Sequence, residues 1–200
     1  TIIFVAAIFI SATPVHSQES QFFIGPPLVI TPMEAGQVVV ITGLIESDIS
    51  IRLEELEVIP KQIRIMSDGG DFRAALRAAR YIQDHHIDVV AVGDCFSSCA
   101  YIWMAGERSG IADGARVFNH LPYDSETGTT TEYLIGMVYW YFGVIDLAAD
   151  TAYDFIYDIR LTGVNTQTSV DGVTPNGWID MSQFFFLHEI DFWKFPPGAS

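Results

Sequence analysis

Basic residues are scarce. Ten Lys and Arg stand against 25 Asp and Glu, a formal charge of −15 over 200 residues. A surface that acidic repels phosphate backbones and anionic lipid, which argues against nucleic-acid binding. Cysteine is scarcer still. Cys95 and Cys99 alone cannot build a disulfide-dense scaffold, and without Cys/His ligand clusters there is no zinc finger. Only 18% of residues are charged, whereas 50% are hydrophobic and 13% aromatic. That is too apolar for a disordered chain and enough for a sizeable core. No repeat and no low-complexity stretch occurs, and the length fits one domain of ~100–200 residues.

Thr1 to Ser17 holds no Asp, Glu, Lys or Arg, and Ile2 to Ile10 is continuously apolar. Val15 and Ser17 are small enough to suit a signal peptidase. The apolar run is about half the ~20 residues of a membrane-spanning helix. The expectation is a truncated signal peptide over residues 1–17, lacking its Met and basic leader, and export to the periplasm. A short N-terminal membrane anchor is the alternative, and no transmembrane helix is expected in the mature chain. Residues 18–36, with Pro26, Pro27 and Pro32, read as an irregular lead-in, residues 37–195 as the domain, and residues 196–200 as a tail.

Within the domain, Gln37–Gly43 and Gln62–Met66 are β-branched or alternating and predict strands. Glu46–Glu57 has Ile49, Leu53 and Leu56 at helical spacing. Asp71 predicts the cap of a helix whose apolar face is Phe72, Ala75, Leu76, Ala79 and Ile82. His85 and His86 end that helix, and adjacent residues cannot face one metal from one helix face. Val89–Val92 predicts a strand ending at Gly93, Ser97–Gly106 a buried helix, and Arg116–His120 another strand. Alternating strands and helices imply an α/β fold with a mainly parallel sheet flanked by helices. Asp124–Thr131 reads as a surface loop. Thr131–Leu161 reads as one long aromatic helix, with Tyr139–Phe142 as a candidate partner surface, and Met181–His188 as a short final helix.

Three features fall at strand ends, where parallel sheets place their sites: Gly69-Gly70, Ser97 and His120. Singly, each has a structural explanation: a turn, a helix cap and a packed histidine. Together they supply a hydrolase. Acyl hydrolysis needs a nucleophile, a base for its proton and donors for the oxyanion. Ser97 opens a helix, in the positive field of its backbone. His120 is expected to shuttle the proton near neutral pH. The N–H groups of Gly70 and Ser98 are candidate oxyanion donors, and glycine lets substrate approach the backbone closely.

The order of these elements resembles the Clp protease proteolytic subunit and its relatives in the Clp/crotonase superfamily. Among them it is most similar to exported bacterial proteins with a Cys-x-Ser-x-Cys element. The likeness runs over Val38–Pro122. It lies in Ile65-Met-Ser-Asp-Gly-Gly70, Gly93-Asp-Cys-Phe-Ser97, Ala105-Gly106 and Arg116-Val-Phe-Asn-His-Leu-Pro122. The resemblance implies a Clp/crotonase-like fold, Ser97 as nucleophile, His120 as base, and Gly70 and Ser98 as the oxyanion hole. Asp68 stands where the family has Pro. The family's third member, an Asp, falls in register at Asn176, which accepts from an imidazole N–H without a full charge. Asp171 is the alternative, and Asp180 a further one. A dyad without a third partner also remains open.

Ser–Lys chemistry is disfavoured because neither lysine, Lys61 or Lys194, is linked to Ser97 by the resemblance. Acyl-CoA chemistry is disfavoured by the acidity and by export, and no Gly-x-Ser-x-Gly elbow surrounds Ser97. Cys95 and Cys99 are either two buried hydrophobes or, in an oxidising compartment, a disulfide that staples the nucleophile turn. The expectation is an exported serine peptidase-like hydrolase acting on peptide or protein, with no metal, nucleotide or organic cofactor. Homo-oligomers are implied by the resemblance. The rival is an inactive Clp-like binding or assembly module, suggested by the missing Asp and by bulky Phe96 beside Ser97.

Overall fold

The computed structural model describes residues 25–124, 126–162, 178–188, 190 and 193–194. Its centre is three parallel strands, β2 (Val38–Thr42), β3 (Gln62–Ser67) and β4 (Asp88–Phe96). Val39, Ile41, Ile63, Ile65, Val89 and Ala91 are all fully buried. Such continuous burial on both faces is what parallel strands covered by helices require.

The edges depart from the expected parallel sheet. β1 (Val29–Met33) runs antiparallel to β2, with Ile30 opposite Ile41. A strand therefore occupies part of the segment read as an irregular lead-in. Pro32 is tolerated because an edge strand leaves one side unpaired. β5 (Ser109–Ile111), β6 (Arg116–Asn119) and β8 (Trp193–Lys194) join in parallel, while β7 (Ile179–Asp180) runs antiparallel to β6. The sheet is mixed, with a parallel centre.

β4 does not stop at Gly93 but forks there. Its first half pairs with β5, Val89 opposite Ser109 and Ala91 opposite Ile111. Its second half pairs with β6, Asp94 opposite Arg116 and Phe96 opposite Phe118. The register against β3 shifts between Ile65 and Ser67, so that Ser67 faces Cys95. Irregularities of this kind locally re-aim a strand, and β4 continues past this one through Cys95 and Phe96 to the Ser97 turn.

The helices are α1 (Ile49–Glu54), α2 (Phe72–Asp84), α3 (Ser98–Met104), α4 (Glu132–Val144), α5 (Ala149–Thr162) and α6 (Met181–Leu187). Asp71 caps α2 by accepting from Ala74 N at 2.9 Å. Every residue of α3 is buried, which explains its apolar composition. Its polar atoms are bonded: Trp103 Nε1 donates to Gly110 O at 2.7 Å and Tyr101 Oη to His120 O at 3.2 Å.

The segment read as one long helix is two. Asp146 adopts a φ of 55°, and Leu147 N bonds back to Phe142 O at 2.9 Å. This left-handed C-terminal closure ends α4 with Asp in place of glycine. The break turns α5 back on α4, and Phe142 meets Phe155 with ring centroids 5.2 Å apart. Tyr139–Phe142 is accordingly not one exposed surface. Tyr141 and Phe142 are core residues, while Tyr139 and Trp140 face outward. Among the described residues, no helix is long and apolar enough to cross a membrane.

Candidate active site

Ser97 lies between the tip of β4 and the first turn of α3, with φ 55° and ψ −123°. Positive φ is uncommon outside glycine and marks a backbone held against its preference. The turn is held from both sides: Ser97 N donates to Phe118 O at 3.0 Å, and Ser97 O accepts from Ala100 N at 2.9 Å. A disulfide joins Cys95 on β4 to Cys99 in α3, with Cα atoms 5.2 Å apart, and both cysteines are fully buried. It closes a small ring around Ser97.

The glycine corner after β3 packs onto this turn. Gly69 has φ 104°, and a Cβ there would lie 2.7 Å from Ser97 Cβ. Gly70 has φ 144°, and a Cβ there would lie 2.3 Å from Ile45 O. Gly70 forms a parallel bridge with Ile45, which donates to Gly69 O and accepts from Asp71 N, both at 2.8 Å. In such a bridge the N–H and C=O of Gly70 itself point away from Ile45. Its carbonyl accepts from Ser98 Oγ at 2.8 Å. Ser98 is the first residue of α3, so its N–H lies beyond the helix ladder.

His120 follows β6 and is only 6% exposed. Asn119, fully buried, accepts from His120 N through Oδ1 at 2.8 Å. The ring is walled by Trp178, edge-on at 4.3 Å, and stacked on Tyr123 at 5.6 Å. His120 Nδ1 lies 2.7 Å from Leu121 O. A carbonyl can only accept, so Nδ1 carries the proton and Nε2 presents a lone pair. Burial pushes the ring down to about 4, with the Leu121 carbonyl pulling the other way. The ring is therefore neutral near pH 7.

Gly70, Ser97, Ser98 and His120 line one cavity of about 550 Å³. Among the described residues no hydrogen bond joins Ser97 Oγ to the His120 ring. Phe96 does not line the cavity. Its ring packs on Phe118 at 5.7 Å and Trp178 at 6.0 Å, under the Arg116 guanidinium. Its bulk is spent on the sheet and does not obstruct Ser97.

Asn176 and Asp171 lie outside the described residues. Asp180 serves the scaffold, since its Oδ1 caps α6 by accepting from Ser182 N at 2.9 Å and Ser182 Oγ at 2.7 Å. His85 and His86 diverge, one bonding Tyr81 O and the other Glu107. Sequence reasoning missed the Leu121 carbonyl, Trp178 and the packing role of Gly69. A paired glycine signals a close approach, but neither it nor a main-chain carbonyl identifies the partner. It also missed the support under the site. Tyr141 Oη donates to Tyr101 O, and Tyr101 Oη donates to His120 O.

No protein-family profile matches the sequence, and no curated protein sequence matches it. The fold does have solved counterparts. A mutant of ClpP1 from Listeria monocytogenes is similar over 81% of this chain and 92% of that one, with a TM-score of 0.54 and 18% identity. ClpP1 from Listeria monocytogenes is similar over 82% of this chain and 95% of that one, with a TM-score of 0.50 and 16% identity. At such identities the likeness is one of architecture, and the chain has a Clp protease-like α/β fold.

Proposed function

We propose that the protein is an exported serine peptidase-like hydrolase. One observation carries this reading: Ser97 in a strained turn, a neutral His120 and the Gly70–Ser98 corner line the same cavity. Ser97 Oγ attacks the peptide carbonyl while His120 Nε2 takes its proton. The N–H groups of Gly70 and Ser98 receive the oxyanion. The tetrahedral intermediate collapses, the imidazolium protonates the leaving amine, and the acyl group stays on Ser97. Water, deprotonated by the same ring, then releases the acid. Catalytic hydrogen bonds commonly tighten only with substrate in place, which reconciles the cavity with the absent Ser97–His120 bond. Leu121 O holds the Nδ1 proton, so the minimal machinery is a dyad on a main-chain carbonyl. Asn176 is the competing acceptor, with Asp171 behind it.

The buried Cys95–Cys99 disulfide supports export, since such bonds persist in oxidising compartments. Self-association into a homo-oligomer is part of the proposal, and sedimentation of the full chain tests it. A fluorophosphonate probe tests the chemistry: it labels the wild type and not Ser97→Ala. Equal labelling of both indicts another serine. The second reading, an inactive binding or assembly module, draws on the absent Ser97–His120 hydrogen bond. Failure to label folded protein across pH 4–8 selects it.

A further inference from the structure

One residue of the cavity wall, Arg73, is opposite in charge to the chain as a whole. It is the second residue of α2 and lines the cavity with Ser97 and His120. A cation at the positive end of a helix is placed against the helix dipole. Its guanidinium lies over the Tyr133 ring, 5.6 Å from the centroid, a contact that steadies it but satisfies no N–H donor. The other arginines with described side chains all have acceptors. Arg52 and Arg77 donate to main-chain carbonyls, Arg64 to an amide, and Arg80, Arg108 and Arg116 to carboxylates. Arg73 has no hydrogen-bond acceptor among the described residues. Its side chain is exposed, so its donors face solvent at the cavity wall and are open to an incoming acceptor.

Three carboxylates share the cavity wall, and each accepts from a main-chain N–H. Glu46 Oε1 accepts from Leu28 N at 3.3 Å. Asp71 Oδ1 accepts from Ala74 N at 2.9 Å. Asp124 Oδ1 accepts from Glu126 N at 3.0 Å and Thr127 N at 2.9 Å, and these N–H groups hold its carboxyl below the usual range. They shape the wall, while the five guanidinium donors of Arg73 remain available to a planar anion.

We infer that Arg73 reads a carboxylate of the bound peptide, making this cavity selective for acidic chains or free C-termini. This rests on the peptidase reading of the cavity. The test uses fluorescein-labelled peptides of one core sequence on full-length Ser97→Ala protein, by anisotropy. One peptide carries Glu, one Gln and one Lys, all with amidated ends, and a fourth carries Gln with a free C-terminus. The Glu or the free-carboxylate peptide binds about three- to tenfold tighter than the amidated Gln peptide, and which of the two does so identifies the source. Arg73→Gln removes the difference and Arg73→Lys keeps part of it, while thermal midpoints stay unchanged. Equal affinities, no binding by any peptide, or preference for Lys overturns the inference. Fluorophosphonate labelling of wild type is read in parallel. Carboxylate preference without labelling retires the peptidase and keeps the site; labelling without preference does the reverse.

Discussion

Gly69 and Ser97 come from different strands, yet a methyl group on the first would sit 2.7 Å from Cβ of the second. The glycine corner is therefore a mould for the serine turn. Gly69→Ala adds this overlap to a φ of 104°. The expected cost is about 2 kcal/mol or more, read by denaturant unfolding, with fluorophosphonate labelling lost. Retention of wild-type labelling rate would show that the mould is dispensable.

Strain at Ser97 makes an unusual ranking. Glycine normally destabilises relative to alanine, but at φ 55° the preference reverses. Ser97→Gly should be more stable than Ser97→Ala by about 1 kcal/mol. Calorimetry of the two variants decides it, and the ordinary order would mean that the turn is relaxed.

The pH dependence follows from His120, whose ring is pushed by burial from 6.5 to about 4. The folded state holds it neutral while the unfolded chain protonates it. Stability from this residue is complete above about pH 6.5 and is lost as pH falls toward about 4, a total of order 3 kcal/mol. His120→Gln flattens the stability profile in that window. The acid limb of labelling lies near pH 4 in the wild type; a limb near 6.5 would contradict the burial.

Leu121 O already accepts from His120 Nδ1 at 2.7 Å, so Asn176→Ala and Asp171→Ala should leave the labelling rate unchanged. Trp178→Ala removes the wall 4.3 Å from the ring, lowers labelling about tenfold or more, and moves its acid limb up from near pH 4 toward the 6.5 of a solvated imidazole. Collapse of labelling in Asn176→Ala assigns the third position to that residue.

The Cys95–Cys99 bond closes a short loop, worth about 2 kcal/mol by restriction of the unfolded chain. Cys95→Ala/Cys99→Ala lowers the unfolding midpoint accordingly and slows labelling of Ser97. Reduction of the wild type with a dithiol has the same effect, measured after thiol counting. Unchanged labelling in the double variant would leave the bridge with stability alone.

Much of this architecture is legible in the residues. β2, β3 and α2 announce themselves through β-branched runs, an Asp cap and one apolar face. β1 hides behind Pro32, which is tolerated only because the strand is an edge. β5, three residues long, exists because β4 offers it partners. The α4–α5 break hides because Asp146 supplies a left-handed residue that sequence patterns assign to glycine. At the site, the residue types Gly, Ser and His are visible, but their convergence on one cavity depends on the fork in β4. The acceptor for His120 Nδ1 is a main-chain carbonyl, which carries no signature in the amino-acid alphabet. Arg73 stands out only once every other arginine with a described side chain has been traced to its acceptor.

β4 changes neighbour partway along its length, and this divides responsibility within a single strand. Its first half is clamped between β3 and β5, deep among aliphatic side chains. Its last three residues answer to β6. The short connection at 112–115 between β5 and β6 can thus be lengthened, trimmed or retuned so that the serine tip is re-aimed while the aliphatic centre stays zipped, leaving one scaffold free to explore many geometries of attack.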